Sequence, residues 1–297
     1  MLFMRLRMFS LLLACLLVSC MQADDNRQFE VLRVGVLPDQ HPEQLVERYA
    51  ALLAYLANEL GVSTELDIPD SYEDLVERFA QKQIDLAYFG GVTFVQAREK
   101  AAAVPLVMRD ADLKFTSYIL VNAQDPAQSL KELRGRRFSF GPKYSTSGHL
   151  MPRYFMTQQN ITPETFFSEV RYSRGHDETA QLIQNGIVDA GAVNAVVIRQ
   201  MMQSGRLKDG DVRILWETPY YANYVWAVQP TLGKTESGRL RDAFLALSNS
   251  DPLHAKILSS IGANYYLPAG QGDFAGLETV MGSTALMKDT TYKTAGE

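Results

Sequence analysis

The sequence predicts an α/β protein of two lobes, each built on a doubly wound sheet. Two observations carry that reading: short β-branched runs alternate with longer amphipathic runs, and two polar breaks interrupt the alternation. In the first cycle, strand 31–37 is closed by Pro38, and a helix over 45–60 puts Leu45, Tyr49, Leu52, Leu53, Leu56 and Leu60 on one face before Gly61 stops it. Strand 64–68, helix 72–81, strand 84–89, the pair Gly90-Gly91 and helix 92–100 follow, an order that argues for a parallel, doubly wound sheet. Strand-like runs 103–107 and 115–122 lead to the break Gln124-Asp125-Pro126.

A second cycle then begins: helix 130–133, strand 137–140, a helix from His149, strand 169–172, helix 176–185, strand 189–193, helix 194–203 and strand 212–216. The second break, 219–224, precedes strand 225–228, helices 238–248 and 253–260, and a Gly-, Thr- and Lys-rich tail past Pro268 that reads as a mobile terminus. The breaks divide the mature chain into a first lobe of 29–122 plus 223–297 and an inserted second lobe of 123–222, with a ligand cleft between them. One undivided α/β unit is the alternative at this length.

The chain has 297 residues, 46% hydrophobic, and opens with Arg5 and Arg7 ahead of an apolar run from Met8 to Val18. A basic start and a core too short to span a bilayer read as a secretory signal over 1–20. Leu17-Val18-Ser19-Cys20 is similar to a bacterial lipobox, which makes Cys20 a lipid anchor and 21–28 a polar tether. Cleavage after Ala23 would instead release a free protein, but Met21 then occupies a small-residue position. The only other cysteine is Cys15, inside the leader, so the mature chain has no disulfide, thiolate nucleophile or thiolate metal site. A formal net charge of −5 without a basic run past the leader argues against nucleic acid, and any anion must be held by local donors.

The stretch 141–148, Gly-Pro-Lys-Tyr-Ser-Thr-Ser-Gly, joins a strand to a helix start. Ser145, Thr146, Ser147 and Gly148 there offer hydroxyls, unpaired amides and the positive end of a helix dipole to an anion. The same residues also suit a plain helix cap.

Three blocks carry a family resemblance over nearly the whole mature chain: Asp85 to Gly91, Gly141 to Pro152, and His176-Asp177-Glu178 followed by Gly186-Ile187-Val188-Asp189-Ala190. Together they resemble the phosphate/phosphite/phosphonate-binding proteins of bacterial ABC importers. The resemblance implies a type II periplasmic-binding-protein fold with two crossover strands, closing on a tetrahedral oxyanion. It implies an exported, monomeric protein without cofactor that serves ABC permease and ATPase subunits at a membrane. It assigns ligand binding to Tyr72, Ser145, Thr146, Ser147 and His176, with Tyr88, Gly148, Asn194 and Asn223 around them.

At Asn194 and Asn223, relatives carry acidic side chains, and an amide can donate to an oxyanion that has no proton to give. With Phe115 in place of a tyrosine, and with the blocks F-G-G-V-T-F and G-H-L-M-P-R-Y-F, the chain looks most like a selenate-binding branch, with phosphonate or phosphite as the competing ligands. Catalysis is disfavoured, because no G-x-S-x-G elbow, P-loop or H-E-x-x-H is present, and the four histidines, His41, His149, His176 and His254, are widely spaced. A ligand-sensing subunit for a membrane receptor is the remaining alternative.

Overall fold

The computed structural model describes residues 30–208 and 210–283. The leader, Cys20 and the tether lie outside them. The first sheet is built from β1 (Val31–Val36), β2 (Ser63–Asp67), β3 (Leu86–Phe89), β4 (Val104–Arg109), β10 (Val225–Val228) and β11 (Tyr266–Pro268), in the order β11-β4-β10-β3-β1-β2. The second contains β5 (Ser117–Asn122), β6 (Arg137–Phe140), β7 (Glu169–Tyr172), β8 (Ala190–Asn194) and β9 (Val212–Glu217), in the order β7-β6-β8-β5-β9. Helices cover both: α1 (Pro42–Leu60), α2 (Tyr72–Ala80), α3 (Gly91–Ala101), α8 (Lys234–Ala246), α9 (Pro252–Ile261) and α10 (Ala275–Ser283) belong with the first sheet. The second carries α4 (Met151–Gln158), the short α5 (Pro163–Phe166), α6 (His176–Gln184) and α7 (Ala195–Gln203).

The apolar pattern explains these elements. Leu32, Val34 and Val36 of β1 are fully buried, as are Leu86, Ala87 and Phe89 of β3, which is the continuous burial of strands covered on both faces. α1 buries Leu45, Tyr49, Leu52, Leu53, Leu56 and Leu60 and ends at Gly61, whose φ of 71° needs no Cβ and whose N–H caps the carbonyl of Ala57. Around the second sheet one apolar cluster centres on Phe138, Phe140 and Phe166 and another on Leu120, Ile183 and Ile198.

The same fastening appears in both sheets. Arg33 on β1 grips Asp85 with its backbone N–H and guanidinium, the Nη2–Oδ1 distance being 2.7 Å. Arg137 on β6 grips Asp189 in the same way, again at 2.7 Å. These bidentate pairs hold β1 to the start of β3 and β6 to the start of β8, at the ends opposite the cleft.

Three expectations need correction. The sheets are mixed rather than wholly parallel: β1 pairs with β2 and β3 in parallel, but β10 runs antiparallel to β3 and β4, and β5 antiparallel to β8 and β9. β5 and β10 each enter a sheet after a crossing from the other, and both run against the strands they join. Next, β5 lies inside the second sheet, which moves the first crossing upstream of Ser117 from its expected place near Asn122. Finally, the chain from Pro268 to Ser283 does not simply trail away; residues 284–297, also part of that expectation, lie outside the described residues. Phe274 is fully buried against Phe94, ring centroids 4.7 Å apart, and α10 buries Leu277 and Val280 beside α3. The Gly and Thr content signalled a loop, but the spacing of Phe274, Leu277 and Val280 is that of one helix face.

Candidate functional site

The carboxyl ends of β1, β3, β6 and β8 face one another, and each releases the chain into a helix start. Open α/β sheets gather their polar chemistry at such ends.

After β6 the chain makes one π-type turn, Thr146–Leu150, before α4 begins. Both His149 and Leu150 direct their N–H at the carbonyl of Ser145. Ser145 is the cap, because its Oγ accepts from the Gly148 N–H at 2.9 Å. Thr146 reaches the facing sheet, where its Oγ1 accepts from the Val92 N–H of α3 at 2.9 Å and its own proton stays available. Ser147, 1% exposed, has an Oγ with no protein partner. The choice between cap and anion site therefore divides within the triplet, with Ser145 spent on the cap. The turn has to be tight: a Cβ on Gly148 would lie 2.8 Å from His176 Cε1 and 2.9 Å from Gly141 Cα.

His176 is the first residue of α6 and fully buried. Its Nδ1 accepts from the Asn194 N–H at 3.3 Å, which assigns the proton to Nε2, and Nε2 has no protein partner. Burial, with Arg48 adding to it, lowers its pKa to about 3, so the ring is a neutral donor. Tyr72 holds the equivalent first position of α2 behind the Ser71 cap. Its hydroxyl lies near Ser145 without a hydrogen bond of regular geometry, and burial raises its pKa well above 10.

Asn223 lies on the second crossing, its N–H held by the carbonyl of Asp112. Its Oδ1 accepts from the Gly91 N–H at 3.3 Å, which turns Nδ2 outward as an unpaired donor. Asn194 differs. Its Oδ1 caps α7 by accepting from Val196 and Val197, and its Nδ2 donates to the Tyr224 hydroxyl, so the whole amide is engaged within the protein. Tyr88 stacks on Tyr224 with centroids 5.0 Å apart, and its hydroxyl sits 3.5 Å from Asp112, so it supports the floor. Of the residues singled out from sequence, Tyr72, Ser147, His176 and Asn223 thus present buried polar atoms without partners, and Thr146 a spare donor.

Sequence reading missed Asp39 and Gln40, on the loop after β1. Asp39 Oδ1 and both polar atoms of the Gln40 amide are buried without hydrogen bonds, and Arg48 Nη1 stands 3.6 Å from Asp39 Oδ1. Burial raises the Asp39 pKa, against the pull of Arg48. The position of these residues at the carboxyl end of the first strand was the available signal. Among the described residues no group of three or more His, Cys, Asp or Glu is placed to hold a metal.

The two sheets' elements also meet directly around this chamber. The Asp39 carbonyl accepts from the His176 N–H at 2.9 Å, and the His41 N–H donates to Asp177 at 3.0 Å. Further out, Arg48 donates to Gln200 at 2.8 Å, Gln200 to the Ser260 carbonyl at 3.2 Å, and Arg206 to Gln44. Tyr224 joins the set, accepting from Asn194 and donating to Asp39 at 3.3 Å.

Comparison with known proteins bears on this geometry. Residues 34–274 match the family described as ABC transporter, phosphonate, periplasmic substrate-binding protein. A Prochlorococcus marinus (strain MIT 9301) protein named probable ABC transporter phosphite binding protein PhnD1 is 31% identical over 263 residues, 84% of this chain and 89% of the relative. The structure of PhnD1 from that organism in complex with methylphosphonate superposes with a TM-score of 0.80 at 30% identity, covering 84% of this chain and 97% of that one. The phosphate-import protein PhnD of Mycolicibacterium smegmatis is 28% identical over 233 residues, 74% of this chain and 73% of its own.

The selenate-branch expectation finds no support in these relatives, whose names point to phosphorus oxyanions. Its premise also weakens on the geometry, since Asp39 brings a carboxylate to a cleft that Asn194 and Asn223 had suggested was free of one. The protein is a binding protein rather than an enzyme, with the two-lobed α/β periplasmic-binding fold. Its match over residues 34–274 and its likeness to PhnD1 mean that the chain belongs to the phosphonate/phosphite family of periplasmic substrate-binding proteins of ABC importers.

Proposed function

We propose that the protein captures a phosphorus oxyanion of the phosphite, phosphate or small phosphonate type in the cleft between the two sheets and delivers it to an ABC permease and its ATPase. One observation carries the reading. Tyr72 OH, Ser147 Oγ, His176 Nε2 and Asn223 Nδ2, contributed by both halves of the molecule, are buried without protein partners. All four can donate, and unpaired buried polar groups of that kind cost stability unless something else satisfies them. With the Thr146 hydroxyl they make a cage of neutral donors, which suits a tetrahedral anion in a chain whose net charge is −5. Asp39 adds an acceptor for an oxygen that keeps its proton, which favours phosphorus oxyanions over selenate or sulfate.

Titration calorimetry against phosphite, methylphosphonate, phosphate, sulfate and selenate tests the reading. A phosphorus oxyanion is expected to bind tightest, and Ser147→Ala to weaken it by about 1–3 kcal/mol, the range for a hydrogen bond to a charged group. Tighter binding of selenate or sulfate, or no binding of any phosphorus oxyanion, would overturn it. The lipobox supports anchoring through Cys20, so palmitate labelling in a bacterial host should disappear in Cys20→Ala; labelling that persists rules the anchor out.

A further inference from the structure

We propose that Gln40 reads the fourth substituent on phosphorus and favours one that can form hydrogen bonds. The inference rests on the phosphorus-oxyanion reading and deepens it. The loop from Leu37 to His41 runs along one wall of the chamber, and contacts at both ends fix its course. At the near end, the point where a Gly90 Cβ would sit is 3.4 Å from Leu37 Cδ1, 3.5 Å from Thr146 Oγ1 and 3.7 Å from Asn223 Oδ1. At the far end the Asp39 carbonyl holds the His176 N–H, and the His41 N–H is bound to Asp177.

Gln40 sits between those two bonds, 5% exposed, with Oε1 and Nε2 both buried and unpartnered. Asp39 Oδ1, one residue away, is by contrast ion-paired with Arg48 at 3.6 Å. The other unpaired groups of the chamber, on Tyr72, Ser147, His176 and Asn223, can all donate, which suits unprotonated oxygens. The Gln40 amide adds an acceptor, Oε1, beside its own donor, Nε2. A P–H or P–CH3 group would leave both amide atoms unpaired. A P–OH group can donate to Oε1 and accept from Nε2, and an ammonium carried on an alkyl chain can donate to Oε1. A buried site that hydrogen-bonds a substituent discriminates strongly against the analogue that lacks it, because its own polar atoms are then stranded.

The experiment is titration calorimetry of the wild type, Gln40→Leu and Gln40→Asn with phosphite, methylphosphonate, phosphate and 2-aminoethylphosphonate, plus melting of each protein without ligand. Gln40→Leu should weaken the hydrogen-bonding ligands by at least about tenfold while changing phosphite and methylphosphonate by less than about threefold. Loss confined to phosphate identifies the hydroxyl, and loss confined to 2-aminoethylphosphonate identifies the ammonium. The unliganded Gln40→Leu protein should melt higher than the wild type, since two stranded polar atoms are gone. Gln40→Asn, which keeps the amide but withdraws it by one methylene, should show the same selectivity to a smaller degree, and it stands in if the leucine variant does not fold.

A uniform loss across all four ligands, or no change with any, would overturn the role of Gln40 while leaving the phosphorus-oxyanion reading intact. So would a wild type that binds phosphite or methylphosphonate but neither of the others. A wild type that binds none of the four overturns both.

Discussion

His149 and His176 are both buried in the neutral form, and that choice has a pH signature. His149 donates from Nδ1 to the Lys143 carbonyl at 2.6 Å, while its Nε2 accepts from Arg153 at 2.9 Å, so an added proton would displace the arginine. Burial, reinforced by Arg153, lowers its pKa from 6.5 to about 3. In the unfolded chain each ring takes up a proton below about pH 6.5, whereas in the folded protein it does not. Stability is therefore complete above that pH and falls as the solution is acidified toward the folded value. Each ring should remove about 2 kcal/mol between pH 8 and pH 5. In urea unfolding, His149→Gln should narrow the gap in stability between those two pH values by about that amount. An unchanged gap would mean that His149 is protonated in the folded protein. At this scale the sequence was legible for Tyr72, Ser147 and His176, whose residue types and helix-start positions speak for themselves. It was silent on which side chains are engaged internally: Ser145 and Asn194 look like ligand groups in one dimension, yet each hydrogen-bonds the amides of its own helix.

The elements repeat a single plan. A strand and its helix start contribute Asp39 and Gln40 after β1, and their counterparts after β6 contribute Thr146 and Ser147; the next strand in each half leads to Tyr72 and to His176 at the first position of a helix. The third contributes the Gly90-Gly91 start of α3 and the Asn194 cap of α7. The Arg33–Asp85 and Arg137–Asp189 pairs tie the far ends of these units, which leaves their carboxyl ends to face each other. Alternating runs and helix starts made this plan readable, but the π-type turn at Thr146–Leu150 was not, because no residue preference separates it from an ordinary first turn. That turn depends on Gly148. Gly148→Ala would press a methyl group into the Gly141 backbone and the His176 ring, so it should cost about 1–3 kcal/mol of stability in thermal or urea unfolding. It should also abolish measurable ligand binding by calorimetry. Full affinity in a variant of unchanged stability would show that the backbone yields there without consequence.

Across the whole molecule, the two-lobed organisation was legible from its breaks, whereas strand direction and the exact crossing points were not. Direction depends on which sheet a strand enters, a long-range fact that a local pattern does not encode; hence β5 was placed with the first lobe, and 225–228 read as a strand without a direction. The stretch up to Ser283 was misread because its Gly content hid three buried apolar residues on one face of α10 and its approach. Among the direct bonds between the halves, the exposed one from Arg206 to Gln44 stands apart from the unpaired donors of the chamber, whereas Arg48 reaches Asp39 inside it. The fraction of molecules poised to receive ligand scales the apparent affinity whatever the chemistry of the binding chamber. Scarcity of nutrient and identity of nutrient can therefore be answered by different residues. Substitutions at Gln44 or Arg206 could shift how much ligand the protein needs while the chamber that recognises it stays untouched.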